Sequence, residues 1–243
     1  IMRYSEFLLV ILFKIFNALK LNFLLSLILY MSTKKLITGS SNNKKKKILI
    51  LYRKVGMGDI EEAFNTKKNT NFNFYFISRK YLKILFNEFF SDNKIFDYNY
   101  KINNKSLKKK QKEYQEKLYK IFYFYNKFLK IDCVLSFNPF YRVERELQST
   151  SKRLNIKFIC LHKESVNSDA DNKILEYLYK HHIEKFGGDL ILTYSSQEKK
   201  IILNSKFANK NQVFVTGCAR VDKNFRLRKK KRKSHSKCGI FLI

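Results

Sequence analysis

Val213-Phe214-Val215-Thr216-Gly217-Cys218-Ala219-Arg220-Val221-Asp222 decides how this chain is read: a short β-rich apolar run breaks at a glycine and sets an arginine and an aspartate two positions apart. Such a run is a strand feeding a polar loop, because β-branched and aromatic residues suit a pleated, half-buried surface and glycine admits a tight turn. Working back towards the start, residues 189–194 (DLILTY), 157–161 (KFICL), 132–137 (DCVLSF), 72–78 (FNFYFIS) and 47–52 (KILILY) are further apolar runs of strand length. One more strand is expected at 95–98. Between these runs the apolar residues keep a helical period, over 79–90, 106–130, the stretch after Asn138-Pro139 to 154, 172–186 and 195–205. The fourth of these carries Ile174, Leu175, Leu178, Tyr179, His182 and Ile183 on its inward face, and Gly187-Gly188 would end it in a left-handed cap. In the last, Ser195 and Glu198 have the spacing of a capping box. Strands separated by helices, without hairpin signals, predict an α/β, Rossmann-like, doubly wound parallel sheet.

In an open parallel sheet, ligands bind beyond the carboxyl ends of the strands, so the residues that follow each strand are the candidate site. The first strand is followed by Arg53-Lys54-Val55-Gly56-Met57-Gly58-Asp59. Gly56 and Gly58 would let a phosphate approach the backbone closely, with Asp59 beside them, yet the third glycine of a dinucleotide fingerprint is missing. A ligand loop and a plain strand-to-helix turn both fit. Residues 157–161 open onto His162-Lys163-Glu164-Ser165. His162 has the chemistry of a general base, with a reference pKa of about 6.5, and Lys163 could pair with a phosphate. The alternative is a hydrogen-bonded loop histidine beside a surface ion pair of Lys163 and Glu164.

The 243 residues carry a formal charge of +30, and 45% are hydrophobic, which excludes a wholly disordered chain. Lys, Asn, Ile, Phe and Tyr are abundant while Trp is absent, Pro occurs once and Gly seven times, as a strongly AT-rich genome would dictate. Codon bias therefore accounts for much of the charge. A basic module binding nucleic acid through Lys108-Lys109-Lys110 and residues 226–233 stands as an alternative reading, but nucleic acid is not the expected partner. Cys133, Cys160, Cys218 and Cys238 are widely spaced, with no histidine at ligand spacing, so they read as incidental thiols in a reducing compartment; no metal and no cofactor is expected.

Residues 7–31 are nearly all apolar, but Lys14, Asn17 and Lys20 interrupt them every third residue. A lysine near the centre of a span costs about 2.5 to 3.5 kcal/mol, so an interfacial amphipathic helix fits better than a spanning one, with a buried helix or a mistranslated leader as the remaining choices. Lys34-Lys35 and residues 44–47 would add attraction to an anionic membrane surface. The expected divisions are a membrane-associated helix and basic linker over 1–45, a Rossmann-like domain over 46–225, and a basic linker with a further strand over 226–243.

The order of three pieces, the strand ending in His162-Lys163-Glu164-Ser165, then Phe186-Gly187-Gly188-Asp189-Leu190-Ile191-Leu192-Thr193-Tyr194, then residues 213–222, resembles the N-terminal half of GT-B-type sugar-polymer enzymes. The likeness covers about residues 47–222 and is to bacterial surface carbohydrate biosynthesis proteins and the related CDP-glycerol glycerophosphotransferases. Nucleotide-sugar 2-epimerases of the same fold carry a similar closing motif. The resemblance implies an inverting transfer from a nucleotide-activated donor onto a polysaccharide or lipid-linked acceptor, at the cytoplasmic face of the bacterial inner membrane. It implies that His162 is the catalytic base, although Lys163 stands where the glycerophosphotransferases have a glycine. Gly56, Gly58 and Asp59 match the loop after the first strand, while Gly217, Arg220 and Asp222 shape the crossing between domains. It also implies a second, donor-binding domain, of which only residues 239–243 would be present, so that the chain reads as an acceptor-side half, inactive alone.

Overall fold

The structure, a computed structural model, describes residues 2–35, 45–65, 71–90, 104–139, 141–162, 169–219 and 221. In chain order the elements are α1 (Met2–Ala18), α2 (Asn22–Ser32), β1 (Lys34–Lys35), β2 (Lys46–Tyr52), α3 (Lys54–Asn65), β3 (Phe72–Ser78), α4 (Arg79–Phe89), α5 (Lys105–Leu129), β4 (Cys133–Ser136), α6 (Arg142–Arg153), β5 (Lys157–Leu161), α7 (Asp169–His181), β6 (Leu190–Thr193), α8 (Ser196–Asn204) and β7 (Val213–Val215). The chain is α/β, with one sheet in the order β1-β3-β2-β4-β5-β6-β7. All pairs are parallel except β1 with β3, whose two residues add an antiparallel edge through Lys34 opposite Phe76.

The order of strands determines which face each helix covers. Only the step from β2 to β3 moves towards the β1 edge; β3 to β4 crosses back past β2, and the remaining steps advance towards β7. Right-handed crossovers then place one helix on one face and the rest on the other. The packing follows this rule. Leu49, Leu51, Val134, Phe158, Cys160, Ile191 and Val213 share a core with residues of α1, α2, α4, α5, α6, α7 and α8. Ile50, Phe74 and Phe137 pack with Met57 and Ile60 of α3 in a smaller cluster. The sheet is thus wound on both faces, but unequally.

The N-terminal apolar segment departs from the expectation of one interfacial helix lying apart from the domain. It breaks at Lys20, whose φ of 56° is left-handed, and folds as a hairpin of α1 and α2. Phe13, Leu25 and Leu29 are fully buried in the main core. Phe13 meets the Tyr81 ring edge-on at 5.0 Å, Asn17 donates to Glu88 at 2.7 Å, and the Ser26 hydroxyl donates to the Ile121 carbonyl at 2.7 Å. Described residues on both sides of the expected boundary at 45 and 46 therefore share one core. Among the described residues no helix is long and apolar enough to cross a membrane.

Two local expectations are also corrected. The helix expected over 172–186 spans 169–181 and ends at His181, so Gly187 and Gly188 do not cap it. Gly188 is instead a packing residue, since a Cβ there would lie 2.5 Å from the Phe186 ring and 2.8 Å from Phe158. His182 and Ile174, expected inward, are exposed, because the helix face turned to the core is carried by Tyr179 and then by Ile183 in the turn beyond it. The strand expected at 95–98, and residues 226–243 with their basic tract and further strand, lie outside the described residues.

Two aspartates fasten the amino ends of the strands. Asp132, just before β4, accepts from the Lys47 amide at 2.8 Å and from the Lys46 ammonium at 3.0 Å. Asp189, just before β6, accepts from the Phe158 amide at 2.8 Å and from Lys157 at 2.9 Å. Burial pushes both carboxyls up, but these hydrogen bonds and the lysine charges outweigh it and hold both below the usual carboxylate range.

Candidate functional site

The sheet changes direction between β2 and β4, and in open α/β sheets the crevice outside the carboxyl ends at such a point is the usual ligand site. Two arginines converge there. Arg53 follows β2 and Arg79 follows β3, and both reach the Glu144 carboxylate, Arg53 through Nη2 at 2.8 Å and Arg79 through Nε at 3.0 Å. The Arg53 Nε donates to the same oxygen at 3.1 Å. The other Glu144 oxygen accepts from the Ser136 hydroxyl at the end of β4. Both guanidinium groups also lie over the Tyr141 ring, at 4.3 and 4.8 Å from its centroid. Glu144 is fully buried, whereas the arginine side chains keep 16% and 19% of their surface. Two guanidinium charges thus surround one carboxylate, with the cations towards solvent.

Beside the arginines, a cavity of about 400 Å³ opens where β1 and the end of α2 meet the carboxyl ends of β2 and β3; it is lined by Ser32, Lys34, Tyr52, Phe76, Ser78 and Tyr81. Tyr52 and Ser78 are register partners and immediately precede Arg53 and Arg79. The wall is therefore aromatic, with two serine hydroxyls and an ammonium, next to a concentration of guanidinium charge.

A second cluster occupies the carboxyl ends of β5, β6 and β7. His162 is buried, held by its amide donating to the Leu192 carbonyl at 2.8 Å, and its Nδ1 contacts the Glu198 carboxylate. Glu198 itself is buried in the first turn of α8; its amide donates to the N-cap hydroxyl of Ser195 at 3.2 Å, and its second oxygen accepts from the Tyr194 amide at 3.3 Å. The Tyr194 hydroxyl donates to Asp59 at 2.5 Å, and the Cys218 thiol lies 3.5 Å from the other Asp59 oxygen. Two polar groups thus flank Tyr194: His162 with Glu198 at its backbone amide, and Asp59 with Cys218 at its hydroxyl. With Nδ1–H donated to Glu198, the imidazole would be fixed in the tautomer whose Nε2 is basic, the geometry by which a carboxylate orients a general base.

The expected site residues divide into three groups. His162, Asp59 and Gly217 come to the carboxyl edge, with His162 and Asp59 on opposite ends of Tyr194. Gly217, at φ +74°, occupies a left-handed conformation after β7 with open space where a Cβ would be. Gly56 and Gly58 lie at the start of α3, as its third and fifth residues. A Cβ on Gly56 would come within 2.3 Å of the Phe137 ring, so this glycine admits α3 against the end of β4. Lys163, Glu164, Arg220 and Asp222 lie outside the described residues.

Sequence reasoning missed Arg53, Arg79, Glu144, Tyr194 and Glu198. Arg53 and Arg79 each immediately follow an apolar strand run, a signal that is present in the sequence, although at Arg53 the nearby Gly56 and Gly58 draw the reading instead. Glu198 was assigned to a capping box, and its amide does meet Ser195; its carboxylate, however, turns to Tyr194 and His162 instead of the N-cap amide. Among the described residues no group of three or more His, Cys, Asp or Glu side chains is placed to hold a metal ion. Burial pushes the Cys133 thiol up to about 12 and the fully buried Cys160 well above its ordinary value, which keeps both as unreactive thiols at neutral pH.

No protein-family model matches the chain, and no curated protein matches it in sequence.

Proposed function

We propose that this chain is the acceptor side of a transferase of bacterial surface polysaccharide assembly, passing a glycosyl or glycerophosphoryl group from a nucleotide-activated donor to a polysaccharide or lipid-linked acceptor. The observation that carries the reading is the His162–Glu198 pair at the carboxyl end of β5, in the same sheet edge as Arg53 and Arg79. In this reading the buried His162 Nε2 opens to the acceptor on binding, an acceptor hydroxyl gives it its proton as the hydroxyl oxygen bonds to the transferred group, and the nucleotide diphosphate or monophosphate leaves with the electron pair of the broken bond. Glu198 stabilises the imidazolium that forms. Arg53 and Arg79 hold a phosphate of the acceptor or of the transferred group, as planar guanidinium forks do. The aromatic and hydroxyl-lined cavity beside them takes the polyol or sugar of the acceptor. The donor nucleotide is carried by a second Rossmann-like lobe facing this edge.

Calorimetric titration of the full chain with an oligo(glycerol phosphate), an uncharged oligosaccharide and a nucleotide-activated donor tests the acceptor assignment. Saturable binding of either acceptor class, retained in His162→Gln, is the expected result, because the histidine acts on the proton and not on affinity. Failure of both acceptors to bind overturns the reading. Hydrolysis of a nucleotide-sugar to free sugar without an acceptor would overturn it in favour of a nucleotide-sugar 2-epimerase relative.

A further inference from the structure

The α1–α2 hairpin buries one face in the core and leaves the other uncovered. On α1, Phe7, Leu8, Ile11, Ile15 and the following Leu19 recur at helical spacing and are all exposed, Phe7 by 66% and Leu19 by 61%. Side chains at these positions form one stripe about a third of the helix circumference wide. The stripe continues across the turn. On α2, Phe23 and Tyr30 are also exposed, and they join it to the carboxyl half of α5: the Phe23 ring lies 5.9 Å from Phe128, and Tyr30 lies 5.6 Å from the same ring. One apolar surface rich in aromatic rings thus crosses three helices. Soluble proteins rarely leave so extended an apolar patch open without an occupant.

Lysines stand along its rim. Lys14 follows Ile11 by one helical turn, Lys20 stands in the turn after α1 between Leu19 and Leu21, and Lys127 stands over the Tyr123 ring at 4.5 Å, with Lys130 capping α5; all four are exposed. No aspartate or glutamate occurs between Phe7 and Gly58, nor between Lys117 and Ile131. This charge pattern selects the occupant. A second copy would bring the same lysines against each other in a chain of formal charge +30, whereas an anionic surface neutralises them. Aromatic and aliphatic side chains ringed by lysines also match the depth profile of a bilayer interface, with rings at the headgroup level and ammonium groups among the phosphates.

We propose that the outer face of the α1–α2 hairpin, extended by Tyr123, Phe128 and Lys127 of α5, docks the folded domain on an anionic lipid bilayer, lying in the interface without crossing it. The hairpin does not detach to do so, because its opposite face holds Phe13, Leu25 and Leu29 in the core. The cavity lined by Ser32 and Lys34 sits directly after α2, so docking would hold its mouth close to the headgroups. This inference is independent of the transferase reading, since it rests on the surface of the hairpin alone.

Flotation of the full chain with vesicles of phosphatidylcholine, with and without phosphatidylglycerol, tests it. The expected result is flotation with the phosphatidylglycerol vesicles, weakened by salt and weakened about fivefold for each of Lys14, Lys20 and Lys127 changed to Gln. Ile11→Asp with Ile15→Asp should abolish flotation while leaving the thermal melting transition in place, as both residues are exposed. Flotation unaltered by the two aspartates would overturn the proposal. So would absence of flotation together with a concentration-dependent dimer in sedimentation equilibrium, which would assign the patch to self-association.

Discussion

Replacing Glu144 by glutamine tests whether an internal carboxylate competes with a bound anion for the arginine cluster. The amide would keep the side-chain shape but remove the charge that Arg53 and Arg79 share. In the native structure one Glu144 oxygen takes three guanidinium N–H contacts, at 2.8, 3.0 and 3.1 Å, and the other takes the Ser136 hydroxyl. Breaking a buried ion pair from one side costs about 3 to 5 kcal/mol. The lower end applies here because the arginines retain 16% and 19% of their side-chain surface and the amide oxygen still accepts hydrogen bonds. A loss of about 3 kcal/mol in a domain of this size lowers Tm by about 6 to 12 °C. The variant should also respond to ligand differently. With two guanidinium groups released, inorganic phosphate should stabilise Glu144→Gln more than wild type, approaching about 2.7 kcal/mol when phosphate reaches about a hundredfold excess over its Kd. Thermal unfolding followed by circular dichroism, in phosphate and in chloride at matched ionic strength, reads both effects. A melting point within about 2 °C of wild type, corresponding to less than about 1 kcal/mol, would refute the claim that Glu144 is a buried structural anion. An equal phosphate effect on both proteins would refute the claim that it competes with phosphate for the two arginines.

Deleting residues 1–30 should unfold the domain instead of solubilising it, because Phe13, Leu25, Ile28 and Leu29 at about 1.5 to 3 kcal/mol each sum to the order of a whole domain's stability; a truncated chain with a cooperative melting transition would contradict the shared core. Gly56→Ala should cost about 1 to 3 kcal/mol in urea unfolding, since its Cβ would sit 2.3 Å from the Phe137 ring, and Phe137→Leu in the same chain should recover part of that loss. Asp132 and Asp189 have depressed folded-state values, so their contribution is present at neutral pH, above the unfolded value of about 3.9, and is lost as pH falls through the folded one. Asp132→Asn and Asp189→Asn should each cost about 1 kcal/mol at neutral pH, discounted because the side chains are 38% and 37% exposed, and should flatten the fall in stability between about pH 5 and the acid limit. Mutant and wild-type curves that stay parallel down to acid would refute the assignment.

The strands and most helices were legible because they are set by local pattern. KILILY alternates between two cores, with Leu49 and Leu51 facing one and Ile50 the other, and an apolar run buried on both faces is what a central parallel strand requires. What the pattern could not carry was the partner of a polar group. RVERELQSTSKR in α6 shows only two apolar residues, yet Glu144, Glu146, Gln148, Thr150 and Ser151 are all buried with them. Glu146 is saturated by Gln111, Gln115 and Arg145, the two glutamines on a helix 31 and 35 residues away in sequence. No periodicity marks such a face as inward, since burial of a polar side chain is decided by hydrogen-bond partners that converge only in the fold. The N-terminal hairpin failed for a related reason: a helix apolar nearly all round is equally suited to lipid and to protein, and only the left-handed turn at Lys20 and the packing of Ser26 on Ile121 distinguish them. The same side chains supply both answers in part, with Phe13 inside the core and Ile15, two positions on, outside it. Amphipathicity of this hairpin therefore separates a protein interior on one face from an exposed apolar surface flanked by lysines on the other, the surface proposed above to meet an anionic bilayer. Within the hairpin, Lys14 and Lys20 mark the outer face, because an ammonium is costly to bury in an apolar core and both stand exposed beside the uncovered side chains.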